Sequence, residues 1–253
     1  MNISVLKDVV DAQTAVVMMS AITRDRADTI HTWNENISMV TTLAKFLESH
    51  PAGKCVYMSS TAVYSDASTQ MNIDETTPVD PASYYALSKY AGEFILKRSA
   101  ESAGVPLLML RTSLVYGPAD PHLTYGPALF IDSILREGNI RLYGDGSDLR
   151  DRIYIYDLVR LLRHLTLGDF SGLFNVVSGQ SRSFAEIASA LKKIRAVPFL
   201  IHSTERKRNL IHQGFNTSKL LQAAAGFRFT PLEQSLRETV DAALRLRGSP
   251  VLQ

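Results

Sequence analysis

Short, fully apolar runs alternate with stretches of helical period along the first two thirds of this chain, and that alternation most constrains what it can fold into. Ala15-Val16-Val17-Met18-Met19 has the length and content of a buried strand. Residues 32–49 then place Ile37, Val40, Leu43, Phe46 and Leu47 on one helical face. Pro51-Ala52-Gly53 breaks that helix, and Cys55 to Met58 reads as a second strand ending in Ser59-Ser60. A polar loop is expected to about Pro81, followed by a helix over 84–102 that Gly104-Val105-Pro106 stops. Leu107–Leu110 and Phe174–Val177 supply a third and a fourth strand. Apolar strands separated by helices predict a parallel sheet covered on both faces. Ligands of such sheets sit beyond the carboxyl ends of the strands, which lines up Ser20, Ser59-Ser60 and Arg111 to Ser113 along one edge.

Further on, helices are expected at about 129–137, 156–167, 183–194 and 231–246, with a turn at Gly144-Asp145-Gly146 and a short strand over Ile153-Tyr154-Ile155. With 253 residues the chain can bury a sizeable core. Its net charge of +2 is too small to argue for nucleic acid or a membrane as partner. Basic clusters such as Arg206-Lys207-Arg208 read first as a solvated face. The single cysteine, Cys55, excludes an internal disulfide, suits a reducing compartment and reads as a buried structural thiol. No leader pattern opens the chain, and the stretch from Ala15 to Ile22 is too short to span a bilayer, so a cytoplasmic location is expected.

The constellation that carries chemistry is Ser60 with Tyr85 and Lys89. In Tyr85-Ala86-Leu87-Ser88-Lys89 the phenol and the ammonium stand four residues apart, on one face of the expected helix. A free phenol is a poor base at neutral pH, and a nearby ammonium favours its ionised form. A hydroxyl from Ser60 at a strand end is placed to bond the substrate oxygen that gains or loses the proton.

The sequence around these residues resembles the extended short-chain dehydrogenase/reductases, the nucleotide-sugar epimerases and dehydratases. The resemblance lies in Val56 to Tyr64, in Asp74-Glu75, in Pro81 to Glu93, and in Leu110 to Pro118. It continues in Leu142 to Gly146, in Arg150-Asp151 with Tyr154 to Asp157, and more weakly in Phe174-Asn175-Val176 and Asn216 to Lys219. The 25 positions between Ser60 and Tyr85 suit that branch. The resemblance implies an α/β, Rossmann-like parallel sheet, N-terminally truncated, with a smaller mixed C-terminal substrate lobe. Residues 1–117 with about 151–180 would form the dinucleotide-binding part, and about 118–150 with 181–253 the lobe.

Carried over residue by residue, the resemblance makes Tyr85 the catalytic acid or base, with Lys89 tuning it and bonding the nicotinamide ribose. Ser60 and Thr61 would meet the substrate, and Ser20, Ala21, Ser59, Thr112 and Ser113 would line the cofactor. Arg150 would pair with a substrate phosphate, and Arg206 or Arg208 would do the same. For Arg150 the competing reading is a salt bridge with an acidic neighbour. Asn36 would support the active-site loop through a backbone bond, or be an ordinary helix-surface amide.

The family's opening strand and glycine-rich turn, which receive the cofactor pyrophosphate, have no counterpart before Ala15. The shortfall is roughly fifty to sixty residues, at ~30 per βαβ unit with shared strands. NAD, or NADP, is therefore expected to be weakly held, and Ala15–Met19 to become an exposed edge. An upstream start, a remnant chain and a partner supplying the strands all fit. Thr61-Ala62 stand where the family's dehydratases resemble one another in carrying an Asp-Glu pair, which favours epimerisation over dehydration. The expected partners are a nucleotide-sugar and a second copy of the chain, packed through the helices at 32–49 and 84–102 as four helices. The alternatives are a catalytically silent scaffold or dimer partner, and a reductase of small carbonyl compounds.

Overall fold

The computed structural model describes residues 3–65, 69–120, 126–194, 198–206 and 209–248. In chain order β1 (Ala15–Met18) leads to α1 (Ile30–Ser49), β2 (Lys54–Ser60), a 3-10 turn (Thr61–Tyr64), β3 (Gln70–Ile73), α2 (Tyr84–Ala103), β4 (Leu107–Thr112) and β5 (Leu114–Tyr116). Then come α3 (Gly126–Glu137), β6 (Asn139–Tyr143), β7 (Leu149–Arg150), β8 (Arg152–Tyr154), α4 (Ile155–Leu167) and β9 (Gly172–Val176). The remaining elements are β10 (Arg182–Ser183), α5 (Phe184–Ile194), β11 (Leu200–Thr204), β12 (Gln213–Phe215), α6 (Ser218–Ala223) and α7 (Leu232–Leu246).

The central sheet has the order β1-β2-β4-β9, with every pairing parallel. This is the parallel sheet that the apolar runs imply, and the Rossmann-like arrangement that the resemblance implies. Because successive side chains point to opposite faces, β2 serves two cores at once. Cys55 and Tyr57 pack with Leu43, Leu47, Leu96 and Ala100 of α1 and α2. Val56 and Met58, with Leu108 and Leu110, pack instead on Leu158, Leu161 and Leu165 of α4 and Leu220 of α6. Burying each such leucine is worth ~1.5–3 kcal/mol. Cys55 lies wholly inside, and burial pushes its thiol up to about 12, so it is an inert packing residue. Among the described residues β1 is the edge of this sheet, and Val17 is exposed on it.

A further core joins α3, β6, α5 and α7 through Phe130, Ile131, Ile140, Leu142, Ile187, Leu191, Leu236 and Val240. Here the structure adds short strands that the apolar pattern does not announce. The stretch expected as loop up to Pro81 contains β3, which pairs in parallel with β12 across a bulge. Only Ile73 of β3 is buried, so no alternation marks it in the sequence. β5 pairs with β8, which covers 152–154 rather than 153–155, and Ile155 already opens α4.

Helix α2 carries Tyr85 and Lys89, and its ends explain where they stand. Ser83 caps it by accepting from the Ala86 N–H at 3.1 Å, and Gly104 ends it in the left-handed conformation at φ 65°. Gly92 lets the helix sit down on β2, for a Cβ there would lie 2.3 Å from the Tyr57 hydroxyl. That close approach brings the first two turns of α2 to the carboxyl end of β2.

Candidate active site

Lys89 is almost fully buried, and its Nζ donates to the Met58 carbonyl at 2.7 Å. The ammonium stands 5.9 Å from the centre of the Tyr85 ring and 5.2 Å from that of Tyr57. Burial lowers its pKa to about 8, against the opposing pull of the Glu93 carboxylate. Two residues beyond Met58, Ser60 ends β2 in extended conformation and caps the 3-10 turn, its Oγ accepting from the Ala62 N–H at 3.2 Å. Ser60, Tyr85 and Lys89 thus belong to one neighbourhood, where the end of β2 meets the start of α2. Thr61 follows half-buried in the turn.

The loop after β1, which carries Ser20 and Ala21, is tied to this neighbourhood from two directions. Asn36 is buried on α1; its Oδ1 accepts from the Ile22 N–H at 2.7 Å while its Nδ2 donates to the Ile22 carbonyl at 3.0 Å. The same Nδ2 lies 3.3 Å from the Ser88 hydroxyl, which in turn donates to the Tyr85 carbonyl at 2.7 Å. Asn36 is therefore the loop support and not a surface amide. Asp28 adds the second tie by accepting from the Tyr85 N–H at 3.0 Å. Ser20 itself is exposed and Ala21 half-buried.

Other residues on the strand edge are turned inward. The Ser59 hydroxyl is buried and donates to Glu93 at 2.5 Å, and the Thr112 hydroxyl donates to the Ser59 carbonyl at 3.3 Å. Ser113 gives its hydroxyl to buried Asp151 at 2.6 Å, and Asp151 also accepts from the N–H and hydroxyl of Ser178. Arg111 forks Glu93 with bonds of 2.9 and 2.6 Å and lies over the Tyr64 ring at 4.7 Å. Tyr64 reaches on to Asn175 at 2.8 Å, and burial pushes its phenol pKa up. Glu93, Asp28, Tyr64 and Asp151 are the members that the motif reading left without a role. The signal for Glu93 was present: it stands one helical turn after Lys89, as Lys89 stands one turn after Tyr85.

The two described arginines assigned to phosphate bond protein partners in the C-terminal half of the chain. Arg150 is half-buried and donates to the carbonyls of Leu149 at 2.9 Å and Ile211 at 2.5 Å. Arg206 forms ion pairs with Asp148 and, at 2.8 Å, with Asp145. Asp148 also accepts from the Ile211 N–H at 3.2 Å, so Arg150 and Asp148 both bond the Ile211 backbone while Arg206 pairs with Asp145 and Asp148. Arg208 lies outside the described residues.

The fold and the site's geometry can be set beside proteins of known family. Residues 1–174 match the NAD dependent epimerase/dehydratase family, and the chain belongs to it. A relative, the ADP-L-glycero-D-manno-heptose-6-epimerase of Alkalilimnicola ehrlichii, is 29% identical over 204 residues, 74% of this chain and 62% of its own length. Across three such curated relatives the matched part is 52% to 62% of their length, so the chain spans little more than half of them. Among solved structures, a UDP-N-acetylglucosamine 4-epimerase from Methanobrevibacter ruminantium superposes with a TM-score of 0.82 at 25% identity. That match covers 95% of this chain and 80% of the other. A UDP-glucuronic acid 4-epimerase from Bacillus cereus, in complex with UDP-glucuronic acid and NAD, shares the fold with a TM-score of 0.83 at 21% identity. It covers 96% of this chain and 77% of the other. Among the described residues no helix is long and apolar enough to cross a membrane.

Proposed function

We propose that this chain acts as an NAD(P)-dependent nucleotide-sugar epimerase of the 4-epimerase kind, using Ser60, Tyr85 and Lys89. The observation that carries the reading is the buried Lys89 ammonium, anchored on the Met58 carbonyl one helical turn from Tyr85 and two residues before Ser60. The names of the three similar proteins given above, each an epimerase of a sugar nucleotide, support the substrate class.

The residues present suit the nicotinamide end of a dinucleotide. A buried ammonium with one bond to a carbonyl retains two N–H donors for ribose hydroxyls. Ser20, Ala21, Ser59, Thr112 and Ser113 complete that side through the backbone of the strand edge. No glycine-rich turn lies within these 253 residues, so the chain by itself would hold NAD weakly. Bound there, the cofactor would supply a hydride acceptor and donor at the sugar carbon. Tyr85 takes the proton from the sugar hydroxyl and later returns it. Lys89 stabilises the phenolate, and Ser60, whose Oγ accepts from Ala62 while its O–H is left to donate, steadies the transferring oxygen. Thr61 and Ala62 offer no carboxylic acid for eliminating water, which favours epimerisation over dehydration. Arg150 and Arg206 would meet the diphosphate, Arg206 by exchanging its aspartate partners.

Residues 1–117 with 151–180 serve the cofactor in this reading, and 118–150 with 181–253 serve the sugar nucleotide. A cytoplasmic location is part of the same reading. So is a homodimer. Leu87, Tyr90 and Phe94 form an exposed apolar stripe on α2, with Phe94 67% exposed, which suits a four-helix contact with a second copy.

The test is calorimetry of the 253-residue chain with NAD and NADP, followed by product analysis on a panel of UDP-sugars. Saturable binding and interconversion of C4 epimers, both lost in Lys89→Met and turnover alone lost in Tyr85→Phe, are expected. Absence of any binding heat, with no turnover, would replace this reading by the silent scaffold.

A further inference from the structure

Beneath the Tyr85–Lys89 pair lies a charged group that no step above uses. Glu93 is buried one turn after Lys89 on the same face of α2. Its Oε1 accepts from the Ser59 hydroxyl at 2.5 Å and from Arg111 Nε at 2.9 Å, and its Oε2 from Arg111 Nη2 at 2.6 Å. Three donors drawn from two neighbouring strands therefore fix one carboxylate. The end of β2 is used residue by residue: the Met58 carbonyl holds Lys89, the Ser59 hydroxyl holds Glu93, and Ser60 is left for the site. A slip of α2 by one residue would break both links together. We propose that Glu93 is the positioning residue of the active-site helix, locking α2 on β2 and β4 through Ser59 and Arg111 and setting a counter-charge beside the neighbouring Lys89.

The charge balance around Lys89 supports this. The groups facing its ammonium are the Met58 carbonyl and the Tyr57 ring from β2, and the Tyr85 ring and Glu93 from α2. Arg111 of β4 reaches it through Glu93. Glu93 is the one anion among them, and its effect on Lys89 opposes that of burial. Arg111 forks that carboxylate with two charge-assisted bonds, which fix where it stands. Without Glu93 the ammonium would face burial with aromatic faces and one carbonyl only.

The proposal rests on the Ser60–Tyr85–Lys89 reading for its catalytic meaning, but its test needs no turnover. The full chain is labelled with 13C at lysine Cε, the Lys89 resonance is assigned by its loss in Lys89→Met, and its titration is followed. Glu93→Gln is expected to lower the Lys89 midpoint by ~1 pH unit, a tenfold loss of proton affinity. Because Glu93→Gln leaves Arg111 buried without its counter-charge, the double variant Glu93→Gln/Arg111→Met keeps the test open if the single one does not fold. Its midpoint should also fall, by a smaller amount because a cation leaves with the anion. Glu93→Asp should restore the wild-type midpoint at least in part. A midpoint that stays within ~0.3 units of wild type in the folded Gln variants, or that rises, overturns the proposal. If the midpoint falls while the pH–rate profile of epimerisation stays put, the positioning role stands and the catalytic reading of Lys89 fails.

Discussion

Burial of Lys89 has a consequence for stability that can be worked through in full. Its pKa falls from 10.5 to about 8 on folding, with burial as the main cause. Below pH 8 both folded and unfolded chains carry the proton, and the cost of burying the charge is borne in full. Between about 8 and 10.5 the unfolded chain binds more protons than the folded one, so stability rises with pH across that window. Integrating the difference from pH ~7 to ~9.5 gives a gain of about 2 kcal/mol from this one group. Lys89→Met removes the titration, so the unfolding free energy of wild type minus that of the variant should rise by about 2 kcal/mol over the same interval. Cys55, Tyr57, Tyr64, Tyr116 and Tyr154, whose pKa values burial raises, pull the other way at alkaline pH. They are common to both proteins and cancel in the difference. Urea unfolding followed by circular dichroism at the two pH values measures it. A difference that stays flat would show that Lys89 keeps an ordinary lysine pKa in the folded protein, and one that falls would show a raised pKa; either refutes the reasoning.

Three other substitutions test the framework around the site. Gly92→Ala places a Cβ 2.3 Å from the Tyr57 hydroxyl and 2.8 Å from its ring, in a buried contact, so despite the better helix former it should destabilise by about 1–3 kcal/mol in chemical denaturation. Asn36→Ala strips both backbone bonds from Ile22 and should cost about 1–3 kcal/mol, with hydrogen exchange at the Ile22 amide accelerated well before the sheet amides. Ala119 is exposed at φ 60°, so Ala119→Gly should stabilise by about 0.5–1 kcal/mol and raise the melting temperature.

What the sequence made legible, and what it left out, follows from the physics of each element. β2 and β4 are buried on both faces, so unbroken apolar runs announce them, and α1 and α2 repeat their apolar residues at helical spacing. β3, β5, β7 and β10 are two to four residues long and draw their register from a single partner, so no periodicity had room to develop. The same contrast holds at the site. Tyr85 and Lys89 share a helix, and one spacing relates them. Ser59, Glu93 and Arg111 come from three elements, and only folding reveals that the hydroxyl before Ser60 is spent on a carboxylate. Arg206 could be picked out as a cation, whereas its pairing with Asp145 and Asp148, about sixty positions earlier, is set by the tertiary fold. Local chemistry thus names the reacting groups. The charges that tune and aim them come from distant segments, which is why a variant far from Tyr85 in sequence, Arg111→Met, should perturb the site more than the neighbouring Leu87→Ala on the exposed side of the same helix.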